Sequence, residues 1–404
     1  MPRIKNIEVA RKHLPLRIVL LALAIVIAIA AFGYGISVWL TTKPGWTVIK
    51  VNSININCSE DFALNYNLGA GEVDATAENK QLTALYTKAT EDAYQLFYNE
   101  YVSDELHNIR YVNEHINHEI TVEPALYKAL SAIVAAGNRS IYLAPAYAQY
   151  RQLFVCGSDA EAIQYDPQRQ SETKAYIAQI ARFANDPEMI DIQILGNQRI
   201  KVQVAQDYLD FIQANEIEYV LDFSWMVNAF IVDYIAEVLI ENGYINGFLA
   251  SYDGFTRNLC SSDQSFSLNV FQRMGKNVLI PATMDYSGGC SIVSLRDFPI
   301  NEKDRWRYYA FEDGRIARLF IDTADGEEKS VVTNMTSYSK NAGCVEILLS
   351  IAPLYLAGTL DTEKVSWLTQ NGIYTVYADG KTVYSNNANL TLNLSFGYTK
   401  ATIE

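Results

Sequence analysis

LDFSWMVNAFIVDYIAEVL, residues 221–239, is the stretch whose reading decides the fold. Ile231, Tyr234, Ile235, Val238 and Leu239 recur at the three- and four-residue spacing of one helical face. A helix is therefore predicted over 226–242, with Gly243 where a C-cap glycine belongs. Residues 219–222 read as a short apolar strand before it and 246–250 as another after it, making a strand, helix, strand unit. The turn at 251–254 sits at the carboxyl end of the second strand, where ligands commonly bind in such units.

Outward from this unit, alternation over 46–75 predicts an opening strand pair, and helical spacing predicts helices over 78–98, 122–136 and 172–184. Strands over 191–195 and 199–204 flank the turn pair Gly196-Asn197. The polar stretch 158–170 reads as a surface loop. Beyond 264, short alternating runs predict strands over 265–271, 277–280, 291–295, 307–311, 317–321 and 329–333. Helices near 342–351 and 361–370 follow, then a hairpin of 372–377 with 382–384. The class is α+β with substantial antiparallel sheet, and residues 386–404 read as a C-terminal tail.

The 404 residues are 50% hydrophobic and 19% charged, which suits a sizeable core and excludes a disordered chain. A net charge of −14 argues against nucleic acid as a partner. The charge is unevenly placed. Residues 1–17 hold five bases against Glu8, a net +4, so the rest of the chain holds −18. Residues 18–40 then run without a charge, long enough for a helix to cross a hydrocarbon core of about 30 Å. This predicts a basic tip at 1–17, a single transmembrane anchor at 18–40 with the amino terminus in the cytoplasm, and an extracytoplasmic domain. A cleaved signal peptide is the alternative. The five cysteines form no CxxC pair and read as mostly buried thiols, and no histidine lies beyond His118. The 27 tyrosines suggest either stacking surfaces for a flavin or glycan, or an exposed, charge-poor exterior.

The order of these blocks over 46–385 resembles the FAD:protein FMN transferase (ApbE) family. Residues 221–239 are similar to the family's L-D-x-G-G-I-A-K-G-x-x-V-D-x-x-A-x-x-L at Asp222, Val232, Asp233, Ala236 and Leu239. NGFLASYDG, residues 246–254, resembles the strand leading into a Gly-Gly-Asp turn. EDGRIARLFIDTADG, residues 312–326, resembles the segment ending H-I-I-D-P-x-T-G, and NAGCVEILL, residues 341–349, resembles D-A-L-A-T-A-L. The resemblance implies a mixed sheet and helix domain of the T-fold type, with FAD and Mg²⁺ as cofactors and transfer of FMN to a hydroxyl of an extracytoplasmic acceptor protein.

The chemistry-bearing positions depart from the pattern. The glycine pair is Ser224-Trp225, the lysine is Asn228, and Gly-Gly-Asp becomes Tyr252-Asp253-Gly254. The histidine falls on Leu319. Asp322 matches an aspartate, while the metal motif's aspartate is Asn341 and its threonine is Val345. LRDF at 295–298 keeps Asp297 and Phe298 but puts Arg296 where a glycine lies close to the cofactor. Asp222, Asn228, Asp233, Tyr252, Asp253, Asp297 and Asp322 are thus vestigial cofactor-binding candidates, and Asn341 a weak metal ligand. As ordinary structural residues, Asp222 would cap the helix and Asp233 would pair with a cation on its surface. The expectation is a membrane-anchored pseudoenzyme acting as a binding or assembly component for an extracytoplasmic protein partner. Its rivals are an active, Mg-dependent FMN transferase or FAD hydrolase using Asp253, Asp297 and Asp322 as a relocated cation site, and a flavin carrier or sensor.

Overall fold

The computed structural model describes residues 19–20, 22–28, 42–52, 60–71, 73–103, 105–260, 264–304 and 307–403. The basic tip, most of the span 18–40 and Cys58 lie outside them. Residues 19–20 and 22–28 are helical, and among the described residues no helix is long and apolar enough to cross a membrane.

Among the described residues nine strands form the main sheet, in the order β1 (Gly45–Ile49), β2 (Phe62–Leu68), β6 (Gly247–Ser251), β7 (Phe255–Asn258), β10 (Cys290–Arg296), β13 (Asn334–Ser339), β14 (Tyr374–Asp379), β15 (Thr382–Ser385) and β17 (Thr399–Thr402). All neighbours are antiparallel except β15 and β17. Three smaller sheets complete the fold: β3 (Glu119–Thr121) with β5 (Arg199–Val204) and β4 (Ile190–Gly196); β16 (Leu392–Leu394) with β9 (Asn277–Ser287) and β8 (Ser265–Met274); and β11 (Tyr308–Ala310) with β12 (Ile316–Arg318).

Each face of the main sheet has its own core. On one face Leu64, Leu249, Val293 and Met335 pack against the helices Ala75–Phe97, Val227–Glu241 and Cys344–Tyr355. On the other, Ile292, Tyr338, Val376 and Val383 meet Val270, Ala282 and Met284 of the long β8–β9 hairpin. Central strands covered on both faces bury every residue, as β10 and β13 do.

That double cover explains the strand the sequence reading misplaced at 329–333. The true strand, β13, reads NMTSYS and shows no apolar alternation. Its polar side chains pair across the sheet instead: Asn334 Nδ2 donates to Ser294 Oγ at 2.9 Å, and the Ser337 and Thr375 hydroxyls lie 2.8 Å apart. A second correction concerns 219–222, which joins no sheet among the described residues. Asn113 takes the part of a neighbouring strand, its Oδ1 accepting from the amides of Val220 and Leu221 and its Nδ2 donating to the Leu221 carbonyl. The stretch 158–170 is anchored rather than loose, with Asp166 fully buried against Arg315. Residues 386–403 are no tail, since they add β16 and β17.

Tyrosines supply seven of the twelve largest fully buried side chains: Tyr66, Tyr86, Tyr142, Tyr147, Tyr150, Tyr208 and Tyr355. These belong to the core, neither to a stacking surface nor to the exterior. Burial pushes the phenols of Tyr66 and Tyr142 up to about 12. Between pH 10 and 12 the unfolded chain therefore loses these protons first, and stability must fall as pH rises through that window. Urea midpoints measured across it should drop steadily; a flat profile would contradict the buried phenols.

Candidate functional site

The helix Val227–Glu241 is entered through a tight turn, Ser224–Met226. Asp222 builds this turn by accepting the Ser224 amide at 2.6 Å, and its other oxygen accepts from Arg151 Nη2 at 2.6 Å. Ser224 has φ +47°, a left-handed backbone that favours glycine. The backbone shape that a glycine would adopt easily is thus kept by a serine.

The next residue closes the space over that turn. Trp225 is buried, donates its indole N–H to the Tyr147 hydroxyl at 3.2 Å and packs edge-on to Phe320. On the adjoining turn between β6 and β7, Gly254 has φ +118°, and a Cβ there would come within 2.3 Å of the Ser294 carbonyl oxygen. Arg296 occupies the neighbouring space. Its buried guanidinium donates to the Tyr252 carbonyl at 2.9 Å and to Asp304 at 2.8 Å. Lys303 lies over the Tyr252 ring.

Beside Ser224 lies a cavity of about 200 Å³, bordered by Asn99, Arg151, Asp222, Ser224, Arg307 and Leu319. Arg307, which the sequence reading passed over, forms its back wall. Its Nη1 lies 2.7 Å from Asp253 Oδ2 and its Nη2 3.5 Å from Asp61 Oδ2. Burial opposes the Arg307 charge, but Asp253 and Asp61 carry its pKa above the usual arginine value. Asn228, fully buried, donates to the second Asp253 oxygen at 3.1 Å. The fold therefore brings together Asp222, Asn228 and Asp253, with Tyr252 beside them in the β6–β7 turn.

The other candidates have separate partners. Asp297 is held by two bonds from Arg273, at 3.1 and 2.7 Å. Asp322 accepts from Lys329 at 2.7 Å and from the Ala324 amide in its own turn. Asn341 is exposed beyond β13, its amide bonded to Ser339 Oγ. Asp233 is buried rather than on a helix surface. Its carboxylate accepts the amides of Cys344 and Val345 at 2.9 Å each and pairs with Arg257 at 2.7 Å. It thus caps the helix Cys344–Tyr355 from a different element.

The ApbE protein from Thermotoga maritima superposes with a TM-score of 0.55 at 9% identity, covering 87% of this chain and 97% of that one. The flavin transferase ApbE from Vibrio cholerae gives 0.50 at 13% identity, covering 83% and 94%. The chain has an ApbE-like fold. No protein-family model and no curated protein matches the sequence. At these identities the likeness to ApbE establishes architecture alone.

Whether the ApbE-like fold here suits the cofactors that the resemblance implies is decided by its own side chains. Pockets that hold drug-sized ligands enclose about 300–1,000 Å³; the cavity of about 200 Å³ is smaller than these, and Arg151 and Asp222 also border a second cavity of about 350 Å³. Mg²⁺ needs converging oxygen ligands. Asp253, Asp297 and Asp322 do not converge, each being paired with a different cation, and among the described residues no group of three or more acids, histidines or cysteines could hold a metal. Leu319 adds an apolar wall and no proton acceptor.

Proposed function

We propose that this chain is a single-pass membrane protein whose extracytoplasmic ApbE-like domain does not transfer FMN and acts as a binding or assembly component for another protein. The observation that carries the reading is the replacement of cofactor space by the chain's own side chains. Trp225 and Arg296 fill the two turns where glycines would admit a dinucleotide closely, and Arg307 and Arg273 neutralise acids that a cation would otherwise use. Attack on a pyrophosphate needs the charge at phosphorus offset and the hydroxyl deprotonated. In this reading the domain keeps the scaffold without those groups.

Membrane attachment is supported by the uncharged run 18–40 behind a +4 tip. Val19, Val26 and Ile27 each leave more than half of their surface exposed, apolar area that a bilayer would cover. Carbonate extraction of membranes tests attachment, and protease protection tests orientation.

For the catalytic half of the proposal, the purified chain is incubated with FAD and MgCl2 and assayed for AMP. The expected result is no release above a protein-free control, together with no heat of FAD binding at high micromolar concentration. AMP release would overturn the reading. FAD binding without AMP release would make the protein a flavin carrier instead.

A further inference from the structure

We propose that an aromatic face built on Trp46 lies against the headgroup zone of the bilayer that holds the chain. The inference rests on reading 18–40 as an anchor. Its carrier is the very short connection between that span and the folded domain. The Thr42 amide already donates to Thr76 Oγ1 at 3.0 Å, tying the chain to the first turn of the helix Ala75–Phe97. At about 3.5 Å per residue, Thr42 can be no more than about 7 Å from Leu40, and Trp46 no more than about 21 Å. The domain therefore cannot stand away from the membrane, and the surface around its first strand must face it.

That surface has the chemistry of an interface. Trp46 is 45% exposed and Val48 51% exposed on the outward side of the edge strand β1. Trp46 packs tilted against Phe248 and edge-on to Phe266, with ring centroids 6.1 and 6.3 Å away, and Tyr286 stacks behind Phe266. Lys43 and Lys50 are exposed on either side of it. In a domain carrying −18, residues 42–52 include two lysines and no acid. Amphipathic rings flanked by cations are the side chains that favour the headgroup level, where apolar bodies and phosphates are both within reach.

The test uses the whole chain reconstituted in phosphatidylcholine vesicles, with and without bromine on the upper acyl chain as a contact quencher of tryptophan. Trp39 lies within the span and reports insertion. With Trp39→Phe as background, quenching should persist and should be lost on adding Trp46→Phe, a change small enough to leave the fold intact. If the unaltered chain is quenched but the Trp39→Phe and Trp39→Phe/Trp46→Phe chains do not differ, the anchor stands and the aromatic face is not on lipid. If the unaltered chain is not quenched, the anchor reading fails and this inference falls with it.

Discussion

Asp233→Ala is expected to be among the most damaging single substitutions in this protein, lowering stability by about 3–5 kcal/mol. The side chain is only 11% exposed, and it serves three donors at once. Its oxygens take the Cys344 and Val345 amides, two of the N–H groups that a helix leaves without internal partners. It also neutralises Arg257, whose charge burial opposes but whose pKa Asp233 carries above the ordinary arginine value. Alanine would strand a largely enclosed cation and two helix amides together. Gly343 shows how closely the carboxylate is fitted, since a Cβ there would lie 2.5 Å from Asp233 Oδ2. Asp233→Asn keeps an acceptor for the helix and loses the charge, so it should fall between the two. Urea denaturation of the three proteins checks the order, and a loss below about 1 kcal/mol for alanine would contradict the capping role.

Arg307→Met should cost a comparable amount, about 3–5 kcal/mol, for a different reason. Here the loss is of the cation facing a carboxylate that is 6% exposed, from a guanidinium that is 7% exposed. Asp253 would be left facing Asn228 and an apolar thioether without this cation. Because a buried pair contributes little beyond its own desolvation cost, removing both charges should be far milder than removing one. The double substitution Arg307→Met/Asp253→Asn is therefore expected to recover most of the loss. A double-mutant cycle with near-additive effects would show that the pair is not coupled as its 2.7 Å contact implies.

Much of the fold was legible in the sequence where apolar residues recur or a turn pair marks a hairpin. The helix Val227–Glu241, the hairpin of β4 and β5, and the β14–β15 hairpin all show the apolar spacing or turn chemistry that their surroundings require. The readings fail where a buried strand is polar or a segment is held by side chains. β13 is polar yet wholly buried, because its hydroxyls and Asn334 satisfy one another across strands. Residues 219–222 look like a strand but are paired by Asn113, more than a hundred positions away in sequence. No local pattern marks either arrangement.

The candidate site divides in the same way. Identity at each position could be read directly: a serine and tryptophan for two glycines, an asparagine for a lysine, a leucine for a histidine. From those identities alone Asp253, Asp297 and Asp322 remained eligible as a cation cluster, and Asp233 as a surface ion pair. Tertiary structure separated the three acids by giving each its own cation, and placed Asp233 beneath a helix belonging to another part of the chain. Arg307 is informative only in three dimensions, since an isolated arginine in sequence carries no sign of the carboxylates it will meet.

The opening stretch, 221–239, by itself determined a helix and the residue types that stand at each of its positions, because periodicity and side-chain identity are local properties. That Trp225, Arg296 and Arg307 are buried against partners of their own was decided only by the tertiary structure. Volume and charge compensation depend on which distant side chains the fold brings together, and packing, unlike periodicity, is written in no single segment.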